Sequence, residues 1–307
     1  MGYGDPGDGV HSFGPIERME AMSAERLGRD YIRANRPVVL TRAMEHWPAM
    51  RTWSFEHFRR LGEEVSVCLE EGNVVQDETR FHYEHLSQYL DRLLSSENGL
   101  RGPSPNGYLS ALDVFTVFPE MRGDVDFSVF ALNKMTSKVN ARIGPAGTVT
   151  GYHTDWSDNM FAQISGRKLF CLIPPAQRWC MYPSAKFEED TTCSSVDADA
   201  YDRTAYPSFA RATPLRTVLS PGEMLFLPRG WWHYVRALDA SISVNQFGRS
   251  LPEALVDEPV RLVLRCLHRL RLCGRRHCIC HVVIDGRRVA KRTPTVRRAG
   301  RTTVGQT

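Results

Sequence analysis

Apolar residues keep two different rhythms along this chain, and the change falls near residue 108. Beyond it they cluster in short runs, at 127–132, 139–143, 160–164, 168–173, 217–219, 224–227, 233–237 and 241–247, split by Gly, Pro, Asn and Asp. Many short strands at that spacing predict a mainly β sandwich or barrel. Pro221-Gly222 and Asp239-Ala240 suit turns between strands. Upstream, Ser23-Ala24-Glu25-Arg26 reads as a capping box leading into Leu27, Tyr31 and Ile32. Residues 36–40 read as a short buried strand, 54–58 open a helix, 65–69 form a strand, and 85–94 form a helix with Leu86, Leu90, Leu93 and Leu94 on one face. Residues 183–214 are polar and aperiodic, as expected of a long loop inserted between strands. After 247 a helical spacing returns, with Leu255, Val256, Val260, Val263, Leu264, Leu267 and Leu270 along 251–273. The expected organisation is a disordered leader (1–15), an α/β segment (16–107), a β barrel (108–250) with the insertion 183–214, a helix (251–273) and a basic tail (274–307). A small hairpin is expected around 282–289 of that tail.

Composition narrows the class. At 307 residues, 42% hydrophobic and 24% charged, the chain reads as a soluble globular protein with flanking helices around its β core. No apolar run approaches the ~20 residues of a membrane span. The Gly-rich, acidic start lacks the apolar core of a secretory signal, and Pro6 stands where a myristoylation motif has Ser or Thr. Eight cysteines without an export signal read as free thiols in a reducing cytoplasm, or a nucleus in a eukaryote. The net charge of +4 hides an asymmetry: 251–307 carry 13 Lys/Arg against 4 Asp/Glu, and the rest carries 26 against 31. Arg-rich tails can engage nucleic acid through phosphates, but as a rule they are solvated.

The chemistry lies in His153-Thr154-Asp155 and Gly230-Trp231-Trp232-His233. On a strand, residues two apart face the same side, so His153 and Asp155 can reach one metal. Joined by His233 they would form the 2-His-1-carboxylate set that holds non-heme Fe(II) and leaves coordination positions open. A lone His-x-Asp is commonly a polar turn; the Pro/Gly corner and aromatics around His233 give the pair its weight. Lys168 begins an apolar run with Leu169, Phe170 and Cys171, where a buried ammonium needs an anion.

Read together, 142–155, 159–168, Pro174-Pro175 and Gly-Trp-Trp-His resemble the Jumonji-C, or cupin-like, Fe(II)- and 2-oxoglutarate-dependent oxygenases, as do 35–40 and 46–49. The resemblance covers roughly 16–250 and is nearest the small hydroxylase branch that includes the asparaginyl hydroxylase of hypoxia-inducible factor. It implies a double-stranded β-helix (jelly-roll, cupin-like) core. It implies a metal on His153, Asp155 and His233, 2-oxoglutarate as cosubstrate, and O2. Lys168 would hold the far carboxylate of 2-oxoglutarate, Thr150 would share it, and Asn159 and Asn245 would contact the cosubstrate or support the metal ligands. Tyr108, Phe130 and Asn140 are further candidates for the pocket wall. Related halogenases have Gly or Ala in place of Asp155, so the carboxylate implies hydroxylation. Gly151-Tyr152 and Gln246-Phe247 depart from the family pattern on the substrate side.

The implied substrate is a protein or peptide side chain, with a small molecule or a tRNA base as alternatives and N-methyl demethylation as an alternative outcome. A non-catalytic cupin that only binds a partner is the contrasting class. The apolar face of 251–273 is expected to pack on the barrel or to form a homodimer. Cys273, His277, Cys278, Cys280 and His281 suggest zinc by residue type but lack the Cys-x-x-Cys pairs of structural zinc sites, so zinc is the less favoured reading of the tail.

Overall fold

The computed structural model describes residues 10–73, 75, 80–97, 107–274 and 278, together with the strands His281–Ile284, Arg287–Ala290 and Thr295–Val296. Two seven-stranded sheets face each other. The first runs Gly14–Pro15, Leu215–Leu219, Lys168–Ile173, Trp232–Ala237, Val149–Asp155, Thr191–Ser194, Pro183–Glu188. The second runs Arg18–Glu20, Val38–Thr41, Met224–Leu227, Asp158–Ser165, Ser241–Arg249, Met135–Gly144, Leu109–Asp113. Strands close in sequence alternate between the sheets, which is the jelly-roll, double-stranded β-helix arrangement.

Alternation sorts the side chains into layers. Phe161, Phe170, Leu172, Leu225 and Leu227 meet between the sheets. On the outer face of the first sheet, Tyr152, Leu169, Cys171, Ile173, Trp232 and Tyr234 pack under Val196, Ala198 and Phe209 of the 183–214 segment. On the outer face of the second, Ala141, Ile143, Met160, Ala162, Ile242 and Val244 pack against helices Phe55–Leu61 and Leu86–Glu97. The insertion and the N-terminal α/β segment therefore each cover one sheet.

Several expectations need correction. Residues 127–132 are not a strand: Ser128–Ala131 is a helical turn, and Phe130 is buried in the outer cluster, away from the barrel interior. Ser23 accepts a hydrogen bond from the Arg26 N–H, but position N3 is Arg26, so the reciprocal half of a capping box is missing. The 183–214 segment holds two strands and a 3-10 turn (Pro207–Arg211). Its strands escaped the periodicity because both their faces carry polar residues. The leader is ordered at its end, where Gly14–Pro15 pairs in parallel with Leu215 and Arg216; residues 1–9 lie outside the described residues.

The helix Leu251–Arg269 docks with its polar side. Arg229 pairs with Asp257, and Arg261 and Arg265 pair with Glu189. Its apolar residues Leu255, Val256, Val260 and Val263 face outward, 46–69% exposed, so this face does not pack on the barrel. The expected hairpin forms from His281–Ile284 and Arg287–Ala290.

Candidate metal and cosubstrate site

The two histidines meet by strand register. His233 lies directly opposite His153 on the neighbouring strand, and paired residues project from one face of a sheet. Their rings are 3.9 Å apart between centroids. Asp155, two residues beyond His153, turns Oδ2 to within 3.6 Å of His233 Nε2. That is too long for a hydrogen bond and near the ~3 Å that separates two donors each ~2.1 Å from a common ion. All three residues offer donor atoms within 4.8 Å of one another.

Each histidine is held in the tautomer a metal needs. His153 Nδ1 lies 2.8 Å from the Gly151 carbonyl and His233 Nδ1 3.1 Å from the Trp231 carbonyl. A carbonyl only accepts, so both Nδ1 atoms carry the proton and both Nε2 lone pairs are free. Burial and the neighbouring His153 push the His233 imidazole down to about 3, so it stays neutral at ordinary pH. Thr191 donates to Asp155 Oδ1 at 3.1 Å, leaving Oδ2 toward the histidines. This donor set fits one divalent ion on a single face.

Thr150 illustrates what sequence alternation misses. Counting back from His153, plain alternation puts it on the outer face. The register slips between His233 and Val235, so Thr150 pairs with inward-facing Val235 and shares the barrel face of His153. The bulge centres on Gly151, where a Cβ would come within 3.0 Å of the Asn73 amide. Asn73 Oδ1 also accepts from the Gly151 N–H at 3.0 Å. The departure noted at this position is thus a local structural need.

Lys168 lies on the same face. It pairs with Ala237, while Leu172 of its strand pairs with His233. Four residues separate the two levels, about 13 Å along a strand. Lys168 is 1% exposed. Its ammonium donates to Tyr108 Oη at 3.1 Å and sits 5.2 and 5.3 Å from the centroids of the Tyr108 and Phe161 rings. No carboxylate pairs with it among the described residues. Burial pushes the ammonium below its ordinary value, partly offset by Tyr108.

The opposite wall is amide-rich. Asn245 donates to Asn159 Oδ1 at 3.0 Å, and Arg142 Nε donates to Asn245 Oδ1 at 3.0 Å. Asn140, opposite Asn245, faces the same way. Arg142 carries no role in the sequence pattern, yet its charge acts on the Tyr108 phenol alongside that of Lys168. Burial alone would raise the Tyr108 phenol; the two cations outweigh it and hold the phenol below its ordinary value. The signal for Arg142 was available: Val139, Ala141 and Ile143 form one face of an apolar run, which turns 140 and 142 to the other. A buried ammonium and a half-buried guanidinium around one phenol, with no carboxylate beside Lys168 among the described residues, make a cradle suited to an anion.

The family model of the cupin-like domain matches residues 24–253. The chain belongs to the cupin-like domain family. Among cupin-like relatives, it is 33% identical over 236 residues to Lysine-specific demethylase 8 of Xenopus tropicalis, covering 75% of this chain and 52% of that protein. It is 32% identical over 237 residues to Lysine-specific demethylase JMJ30 of Arabidopsis thaliana, covering 75% and 54%. It is 28% identical over 248 residues to the human Bifunctional peptidase and (3S)-lysyl hydroxylase JMJD7, covering 71% and 78%. The chain spans about half the length of the first two cupin-like proteins. No helix among the described residues is long and apolar enough to cross a membrane.

Proposed function

We propose that this chain is an Fe(II)- and 2-oxoglutarate-dependent oxygenase that hydroxylates a C–H bond of a protein or peptide side chain. The observation that carries the reading is the buried Lys168 ammonium, which has no carboxylate partner among the described residues and shares a barrel face with the two histidines. Bound ferrous iron and 2-oxoglutarate would supply the oxidising chemistry, with O2 consumed and succinate and CO2 released. The residues supply position and environment. His153 and His233 offer neutral Nε2 lone pairs, and Asp155 offers the charge, held in orientation by Thr191. Lys168, with Arg142 and Tyr108 beside it, receives the far carboxylate of the cosubstrate, and the Thr150 hydroxyl shares it. Asn159 and Asn245 fix each other and Arg142, which keeps the guanidinium aimed inward. Phe161, Phe170 and Leu172 exclude water from the cosubstrate's chain.

The relatives are named for two outcomes, lysyl hydroxylation and lysine demethylation. Both begin with a hydroxylated carbon; hydroxylation of an N-methyl group releases formaldehyde. A protein side chain is therefore the substrate class the relatives favour. Incubating the protein with Fe(II), ascorbate, 2-oxoglutarate and peptide, tRNA or metabolite pools tests this. The expected product is a peptide that gains one oxygen atom only when 2-oxoglutarate is present. Oxygen gained by tRNA or a metabolite would move the substrate class. Wild-type protein that forms no succinate in any pool and binds no 2-oxoglutarate would leave the non-catalytic binding module.

A further inference from the structure

A second cluster of metal-binding side chains lies outside the barrel, where the C-terminal segment folds back on the helix Leu251–Arg269. His268, Cys278 and His281 bring three donor atoms within 4.8 Å of one another. The sequence spacing of the tail argued against zinc because it does not show His268, which arrives from the helix. His268 and Cys278 are buried, 8% and 9% exposed.

The cluster has the shape of a built site. Cys278 Sγ and His281 Nδ1 are 3.3 Å apart; tetrahedral zinc, with bonds of about 2.3 Å to sulfur and 2.0 Å to nitrogen, sets that separation near ~3.5 Å. His268 Nδ1 lies 3.0 Å from the Cys273 carbonyl. That nitrogen therefore carries the proton, which makes Nε2 the ring atom able to serve as a ligand, the same device that orients His153 and His233. The His268 ring stacks on Phe187 at 4.1 Å and 14°. Gly274, at φ +57°, closes the turn onto this stack; a Cβ there would lie 2.2 Å from Phe187 Cβ. The Cys278 backbone bridges Phe187. Cys273 turns its thiol to the Leu264 carbonyl and stands outside the set.

We propose that His268, Cys278 and His281 hold one zinc ion that clasps the C-terminal segment to the helix and to the strand Pro183–Glu188. Two imidazoles and a thiolate suit zinc, whose fourth tetrahedral position falls to water or a further side chain. The clasp has a physical purpose. A two-stranded hairpin such as His281–Ile284 with Arg287–Ala290 is marginal alone, and a structural metal supplies the missing folding free energy. The strand it grips pairs with Thr191–Ser194, which delivers Thr191 to Asp155. The zinc ion thus braces the strand that orients the carboxylate of the ferrous site, although the proposal stands whether or not that site binds iron.

The test is metal analysis of the His153→Ala/Asp155→Ala variant, in which the other site is destroyed. We expect about one tightly held zinc per chain after dialysis, lost on adding His268→Ala or Cys278→Ser. Cobalt supplied to the chelator-stripped parent variant should give a thiolate charge-transfer band that Cys278→Ser lacks. Because either substitution could unfold the tail, the parent variant is also stripped and reloaded. Stripping should open the tail to protease, and zinc should restore its protection. A chain that takes up neither zinc nor cobalt, or that keeps zinc after both substitutions, overturns the proposal.

Discussion

At the scale of single residues, the account turns on charges taken out of water. A buried ammonium persists only where an anion or strong acceptor meets it. Lys168 has a phenol, and Arg142 stands behind the same phenol. Charge-assisted hydrogen bonds contribute about 1.5–3 kcal/mol, so Lys168→Ala should weaken 2-oxoglutarate binding roughly 10- to 100-fold. Calorimetric titration of the cosubstrate into manganese-loaded protein measures this. Arg142→Met should cost less, about tenfold, since the guanidinium is also committed to Asn245. Unchanged affinity in Lys168→Ala would remove that residue from the cosubstrate's end of the barrel. Unchanged affinity in Arg142→Met would confine the guanidinium to holding Asn245.

At the scale of elements, the site depends on where strands begin. Asp158 opens the strand that carries Asn159 and Phe161. Its carboxylate meets the Lys134 ammonium at 2.5 Å and accepts the Arg229 N–H at 2.8 Å, with both charged side chains almost fully buried. Breaking a buried pair strands one charge, at about 3–5 kcal/mol. Asp158→Ala should therefore lose that much stability in denaturant unfolding, and Lys134→Met/Asp158→Leu should recover most of it. A loss under about 1 kcal/mol for the single change would show the pair to be dispensable. Strands were the legible part of this chain. Runs such as 160–164, 168–173 and 241–247 alternate or stay apolar because both their faces are covered. The strands Pro183–Glu188 and Thr191–Ser194 were not legible, since they form an edge with polar residues on both sides. Ser128–Ala131 looked like a strand because Phe127, Val129, Phe130 and Leu132 are apolar. It is a helical turn packed on the outside of the barrel, and so short a run carries no period to tell the two apart.

At the scale of the whole molecule, the histidines and the carboxylate were readable as residue types, and a family resemblance supplied the pairing. Their convergence depends on a register that no local pattern encodes, and Thr150 reaches the interior only through a bulge. The helix Leu251–Arg269 also reverses the usual amphipathic logic, docking by ion pairs and presenting Leu255, Val256, Val260 and Val263 outward. Of the two expectations for this segment, packing on the barrel and a homodimer, only the second is left for that face, and sedimentation tests it: a dimer that Val256→Glu/Val263→Glu converts to monomer would support it, and a monomeric wild type would refute it. The central claim is that one ferrous ion is held by His153, Asp155 and His233 with 2-oxoglutarate chelated beside it. Anaerobic visible spectroscopy reads this directly, without any substrate. Wild-type protein given Fe(II) and then 2-oxoglutarate should develop the charge-transfer band of a keto acid chelated to iron, and His153→Ala and His233→Ala should not. No band in the wild type, or an equal band in those variants, would contradict the account.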